Sequence, residues 1–184
     1  MRKYIVIILI FITILSCNKT DNKFLITKDS VGVLHKNAPI QQLDSIYAKD
    51  SVVNTTFEGE LRYASNERVI VFEKGGKELL EITPVLNSKD QKVVESVQIL
   101  DPRFATEKGI SLTSTYKDIK ERYPDFEIEQ TLKSILITPK GENIYFTIDK
   151  SGLKSNNFGL SAEITKNDIE DSAKLSRITI NWTL

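Results

Sequence analysis

Residues 68–84 read RVIVFEKGGKELLEITP, and the rest of the predicted fold is built around this stretch. Two runs rich in apolar and β-branched residues, 68–73 and 78–83, flank the pair Gly75-Gly76. Two adjacent glycines accept the positive φ angles that a tight hairpin turn requires. Pro84 is expected to end the second strand because proline donates no backbone hydrogen bond. The stretch therefore predicts a β-hairpin at the centre of an antiparallel sheet.

Similar runs occur on both sides of this hairpin and bring the predicted sheet to about eight strands. The additional strands are expected at 52–57, with a continuation at 59–63, and at 93–100, 126–129, 133–138, 143–149 and 177–184; a short opening strand is expected at 24–26. In the run 143–149, Phe146 alternates with Tyr145 and so faces the other side of the sheet. Phe146 and Trp182 are predicted to lie in the core.

Two short helices complete the predicted α+β fold and are expected to pack on one face of the sheet. The first spans 39–48, with Pro39 at a position that suits a helix start. The second begins at Ser114 or Thr115, which can cap it, and ends before Pro124. The two helices align at an offset of 76 residues. Three residues of the first helix then match three of the second: Ile40, Leu43 and Tyr47 match Tyr116, Ile119 and Tyr123. Turn-rich segments precede both helices, so a tandem repeat of 25–100 and 101–184 is predicted within one domain, 24–184.

The first sixteen residues have the pattern of a secretory leader. Arg2 and Lys3 precede twelve residues, 4–15, that are apolar except Thr13. This run is shorter than the roughly 20 residues that cross a bilayer and fits a signal peptide. The quartet 14–17, Ile-Leu-Ser-Cys, resembles the lipobox of bacterial lipoproteins. The resemblance implies cleavage before Cys17 and lipid attachment to it, and hence a membrane partner.

The residues after Cys17 predict where the domain sits. By resemblance to the sorting rule of Gram-negative lipoproteins, Asn18 in place of aspartate favours the outer membrane. The polar segment 18–23 is expected to be a tether, and its six residues span at most ~20 Å. We therefore expect the domain to lie close to the bilayer, on a face of the membrane that the sequence leaves open.

Composition excludes several classes of function. The chain has one cysteine and one histidine. Because the single cysteine, Cys17, is the predicted lipid-attachment site, the domain is expected to have no disulfide, no cysteine nucleophile and no thiolate metal cluster. His35 is expected to be an exposed loop residue. Without the leader the chain has 168 residues and a net charge of −2, which argues against a nucleic-acid partner. No cofactor is predicted.

The order of lipobox, glycine turn, short helix ending in tyrosine, and several strands resembles small envelope lipoproteins. The similar families are the SmpA/OmlA (BamE) domain, its tandem relative the β-lactamase-inhibitor protein, and lipoproteins of the Bacteroidota type. This resemblance implies a role in binding other proteins. The chain lacks the disulfides typical of the inhibitor proteins.

Few residues stand out as site candidates. Tyr63, Tyr145 and Arg103 are predicted interface residues, because aromatic and arginine side chains often anchor interfaces. The acidic run 167–171 lacks the spacing of a calcium loop and is expected to be a solvated turn. Gly75-Gly76 lies in a hairpin and so does not predict a phosphate-binding loop. No catalytic residue and no metal ligand is predicted.

The leading hypothesis is a non-enzymatic lipoprotein that binds another envelope protein. A module that binds a small molecule or a glycan is the alternative, and a hydrolase with two carboxylates is a third. An open sheet face with aromatic residues favours the first hypothesis. A closed apolar pocket with converging polar groups favours the second.

Overall fold

The structure is a computed structural model that describes residues 22–55, 67–155 and 163–182. The first half contains β1 (Leu25–Ile26), β2 (Ser30–Val31), β3 (Leu34–His35), α1 (Leu43–Ile46), β4 (Ser51–Thr55), β5 (Arg68–Phe72), β6 (Glu78–Leu86) and β7 (Lys92–Ile99). The second half contains β8 (Ala105–Thr106), α2 (Tyr116–Arg122), β9 (Phe126–Gln130), β10 (Ser134–Pro139), β11 (Ile144–Asp149) and β12 (Leu175–Asn181). Short 3₁₀ turns at Asn22–Phe24, Ile40–Gln42 and Lys150–Gly152 join them.

In the described residues, eight strands form one antiparallel sheet in the order β4-β5-β6-β7-β12-β11-β10-β9. Each half contributes a meander of four strands, and the last strands of the two meanders, β7 and β12, pair at the centre. A smaller sheet has the order β3-β2-β1-β8, in which β1 and β8 are parallel. The predicted α+β class with one mainly antiparallel sheet is confirmed.

One face of the large sheet, the inner face, carries the core. Its central positions are alternating apolar residues of neighbouring strands, such as Val71, Leu80 and Ile99, which are fully or almost fully buried. Phe146 and Trp182 are buried in the same cluster, as predicted. The cluster contains residues from both halves, so the chain folds around a single core.

Both predicted helices exist and bury side chains in this core. The first is a 3₁₀ turn that runs into α1, and its Leu43 is buried. Thr115 caps α2 because its side chain accepts a hydrogen bond from the Asp118 amide, while the Asp118 carboxylate accepts one from the Thr115 amide. The Tyr123 ring then packs 5.5 Å from the Phe146 ring, measured between centroids, which places α2 on the inner face.

Two predictions about local structure are wrong. β6 does not end at Pro84 but continues to Leu86. Pro84 lies beyond Ile82, the last β6 residue that pairs with β5 among the described residues, and a register shift separates it from Thr83. Strands tolerate proline at irregularities of this kind. The turn-rich segment before α1 is also more ordered than expected, because it forms β2 and β3, and exposed His35 lies in the second of these.

Candidate protein-interaction surface

The outer face of the large sheet is continuous across both halves. We call its central line the outer row, six residues that lie opposite one another on neighbouring strands: Val53, Ile70, Glu81, Gln98, Thr179 and Tyr145. All except exposed Val53 are half-buried, as expected for side chains that stand side by side on a sheet face. The row crosses six strands, or about 24 Å at the usual strand spacing.

The outer row changes in chemistry from one end to the other. Val53 and Ile70 are apolar, Glu81 to Thr179 are polar, and Tyr145 supplies an aromatic ring. Arg68 Nε lies 3.2 Å from Glu81 Oε1, and both side chains are about one-third exposed. Such an ion pair contributes little to stability but fixes the direction of charged groups on the face. The surface can therefore make both apolar and polar contacts with another molecule.

The predicted interface residues do not lie together. Tyr145 projects from the outer face in the second half, where it is half-buried next to Thr179. Arg103 lies in the loop after β7, away from this row. Tyr63 lies outside the described residues, as does Cys17. Each of these residues remains a predicted contact or attachment site.

Arg103 is held by two carboxylates. Its Nη2 atom lies 2.8 Å from Asp101 Oδ2 and 2.6 Å from Glu73 Oε2, and its Nε donates to Asp101 Oδ1 at 3.0 Å. The guanidinium also stacks over the Phe24 ring, with Cζ 4.4 Å from the centroid. Lys77 adds a second cation, with Nζ 2.9 Å from Asp101 Oδ2. We call these residues the Asp101 cluster.

Asp101 is the buried centre of this cluster, because its side chain has no solvent exposure. Burial raises the pKa of its carboxyl, but hydrogen bonds from Arg103 and Lys77 outweigh that effect and hold the pKa well below its ordinary value. The hydrogen bond from Arg103 also lowers the pKa of Glu73. The cluster joins the N-terminal segment, the β5–β6 turn and the loop after β7. Its geometry is that of a structural junction.

The acidic run 167–171 is also engaged in internal contacts. The Asp168 carboxylate accepts hydrogen bonds from the Thr165 amide and hydroxyl, at 2.8 and 2.6 Å, and these bonds lower its pKa. Asp171 pairs with Lys120 of α2. Within residues 22–55, 67–155 and 163–182, no group of three or more His, Cys, Asp or Glu side chains could hold a metal ion.

Two depressions in the described part of the surface are open to solvent. One, of about 60 Å³, lies between the halves and is lined by residues that include Lys108, Tyr123 and Asn143. Another, of about 380 Å³, is lined by residues that include Pro84, Leu86 and Lys92. Neither encloses a ligand in the way that a small-molecule site does.

The outer row escaped sequence analysis because it depends on pairing between distant strands. Alternation in each strand indicated which residues share a face. The pairing of Gln98 with Thr179 joins positions 81 residues apart, and no local pattern specifies that register. Only Tyr145 of the row was predicted as a contact residue.

Comparison with known proteins supports the fold alone. No family model and no curated protein matches the chain. The solved structure of the uncharacterized protein yfeY from Escherichia coli is similar, with a TM-score of 0.54 and 12% sequence identity. The similarity covers 85% of this chain and 98% of that one. Among the described helices, none has the length and apolar character to cross a membrane.

Proposed function

We propose that this chain is a lipid-anchored protein of the bacterial envelope that binds another envelope protein through the outer face of its sheet. The observation that carries the proposal is the outer row, a mixed apolar and polar line that crosses six strands without interruption. The lipobox at 14–17 supports the anchor, and Asn18 supports the outer membrane as its location. The resemblance to SmpA/OmlA and inhibitor-protein domains supports a binding role.

The two halves of the fold support the further proposal of a tandem repeat. Each half runs from a short strand through a glycine with positive φ to a helix and a meander of four strands. The glycines are Gly32 and Gly109, with φ of 57° and 76°. Their offset of 77 residues lies close to the 76 that aligns the two helices. Duplication of such a unit gives one wide sheet face from two narrow ones, and a wide face suits a protein partner.

The anchor is tested by the substitution Cys17→Ala. A lipoprotein anchor has two or three acyl chains, and two chains suffice for stable attachment. We therefore expect the variant to lose labelling by a radioactive fatty acid and to leave the membrane fraction. If Cys17→Ala stays in the membrane fraction as fully as the original chain, the anchor proposal is wrong.

The binding role is tested by crosslinking in living cells, followed by purification of the chain and mass spectrometry. We expect a recurrent adduct with one envelope protein, and we expect substitutions Glu81→Lys and Thr179→Arg in the outer row to reduce it. A matched control is Leu132→Arg, because Leu132 is 70% exposed in the β9–β10 turn and lies outside the row. Equal adduct yields from the row variants and the control would contradict the proposal.

A further inference from the structure

The segment 23–36, which follows the tether, forms a compact edge of the domain that we call the tether-side surface. It contains β1, β2 and β3, joined by tight turns. The Gly32 amide donates to the Leu25 carbonyl at 2.8 Å, and a Cβ atom added at Gly32 would lie 2.2 Å from the Lys23 carbonyl oxygen. The β2–β3 turn is therefore packed directly against the residue at which the tether enters the domain.

An apolar side chain projects from this turn. Val33 is 46% exposed, although most large apolar side chains of the described residues are buried. It lines an open groove of about 700 Å³ together with Lys23, Leu25, Gly32 and His35. An exposed valine beside an apolar groove is typical of a surface that contacts a membrane or another molecule.

The charge of the tether-side surface differs from that of the rest of the mature chain. Segment 23–36 contains Lys23, Lys28 and Lys36 but only Asp29 as an acidic residue, which gives it a net charge of +2. Lys23 Nζ also lies 3.5 Å from Glu73 Oε1, which offsets part of its charge, so Lys28 and Lys36 supply most of the positive potential. The mature chain has a net charge of −2, so the remainder carries −4. Anionic lipid headgroups attract a positive edge and repel the negative remainder of the domain, so this charge distribution favours an orientation with segment 23–36 towards the bilayer.

The length of the tether indicates that this surface contacts the bilayer. The six residues 18–23 span at most ~20 Å, so a lipid on Cys17 holds Lys23 within that distance of the acyl chains. The tether-side surface packs against Lys23. It must therefore lie closer to the headgroup layer than the parts of the domain that are far from Lys23. We infer that the tether-side surface rests on the anionic headgroups of the bilayer that holds Cys17, with Val33 inserted at the interface. This inference depends on the proposed lipid anchor.

The test uses the full lipidated chain in vesicles of phosphatidylethanolamine and phosphatidylglycerol. The thioether consumes the thiol of Cys17, so a cysteine placed at Val33 or Leu132 is the only free one and can carry an environment-sensitive NBD fluorophore. Leu132 is a matched control because it is apolar and 70% exposed. It precedes β10, whereas Lys28 of the tether-side surface donates to the Gly141 carbonyl just after the other end of that strand, and the six residues of β10 span roughly 20 Å.

At position 33 we expect a blue shift of the NBD emission and a loss of its intensity when spin-labelled lipid, which quenches NBD, is added. We expect neither change at position 132. Replacement of phosphatidylglycerol by neutral phosphatidylcholine is expected to reduce the loss at position 33. A loss no larger at 33 than at 132 overturns the inference while the anchor stands, provided the chain floats with the vesicles. Failure to float overturns the anchor and this inference together, and the Cys17→Ala chain shows what that failure looks like.

Discussion

Replacement of Asp101 by asparagine should destabilise the protein through the Asp101 cluster. The carboxylate is fully buried and accepts charge-assisted hydrogen bonds from Arg103 and Lys77 at 2.8 to 3.0 Å. Removal of one partner from a buried ion pair costs roughly 3–5 kcal/mol. Water can partly solvate the two cations that remain, because their side chains are 39% and 55% exposed. We therefore expect Asp101→Asn to lower the free energy of unfolding by about 2–3 kcal/mol at pH 7.

Urea unfolding followed by the fluorescence of Trp182 measures this change, because Trp182 is the only tryptophan and is 4% exposed. The folded pKa of Asp101 lies below its unfolded value, so its stabilising contribution is complete above about pH 4. That contribution is lost as the pH falls through the folded pKa. The difference between the original chain and Asp101→Asn should therefore shrink in acid.

The matched control is Asp125→Asn, which removes an exposed carboxylate that pairs with Lys140 at 3.4 Å. Exposed pairs contribute little, so this variant should unfold close to the original chain. The reasoning about the Asp101 cluster is refuted if the two variants are equally stable. It is also refuted if the effect of Asp101→Asn is the same at pH 3 as at pH 7.

Two further pairs of variants test local features of the fold by the same urea assay. Gly32→Ala should cost about 1–3 kcal/mol more than Gly141→Ala, because both glycines have positive φ but only the first meets a backbone atom at its added Cβ; equal losses would show that this close approach does not matter. Tyr47→Phe should leave stability unchanged or raise it by about 1 kcal/mol, because the buried hydroxyl has no partner among the described residues. Tyr116→Phe should lower it by about 1 kcal/mol, because that hydroxyl donates to a carbonyl at 3.0 Å. If Tyr47→Phe lowers the free energy of unfolding more than Tyr116→Phe does, the assignment of these hydrogen bonds is wrong.

The strands and helices were predictable because each has a strong local pattern. Val69 and Val71 alternate with outward residues, and the Gly75-Gly76 turn joins their strand to the next. Thr115 and Asp118 have the spacing of a capping box, and they form one. These signals act over a few residues, so the sequence displays them directly.

Long-range pairing was not predictable in the same way. The centre of the sheet depends on the pairing of β7 with β12. The register also shifts once in each of three other strand pairs, β5–β6, β6–β7 and β11–β12, and no local pattern specifies these shifts. Pro84 shows the effect, because it lies where the register of β6 and β7 shifts and beyond the residues of β6 that pair with β5 in the described part of the chain.

The candidate surface was predictable only in part for the same reason. Tyr145 was predicted as a contact residue, but Thr179 beside it and Gln98 on the far side of Thr179 come from strands distant in sequence. Arg103 has the residue type of an interface anchor, and the structure places its guanidinium between Asp101 and Glu73. A side chain's neighbours, rather than its type, decide how much of its binding capacity is already used.

Site-specific photocrosslinking in cells shows whether the outer face of the sheet binds another envelope protein. A photoreactive phenylalanine is placed at Tyr145 or Thr179 in the outer row, and at Leu132 as the control. We predict that both row positions form the same adduct with one envelope protein and that position 132 does not. Adducts that are absent at both row positions, or equally strong at position 132, would contradict it.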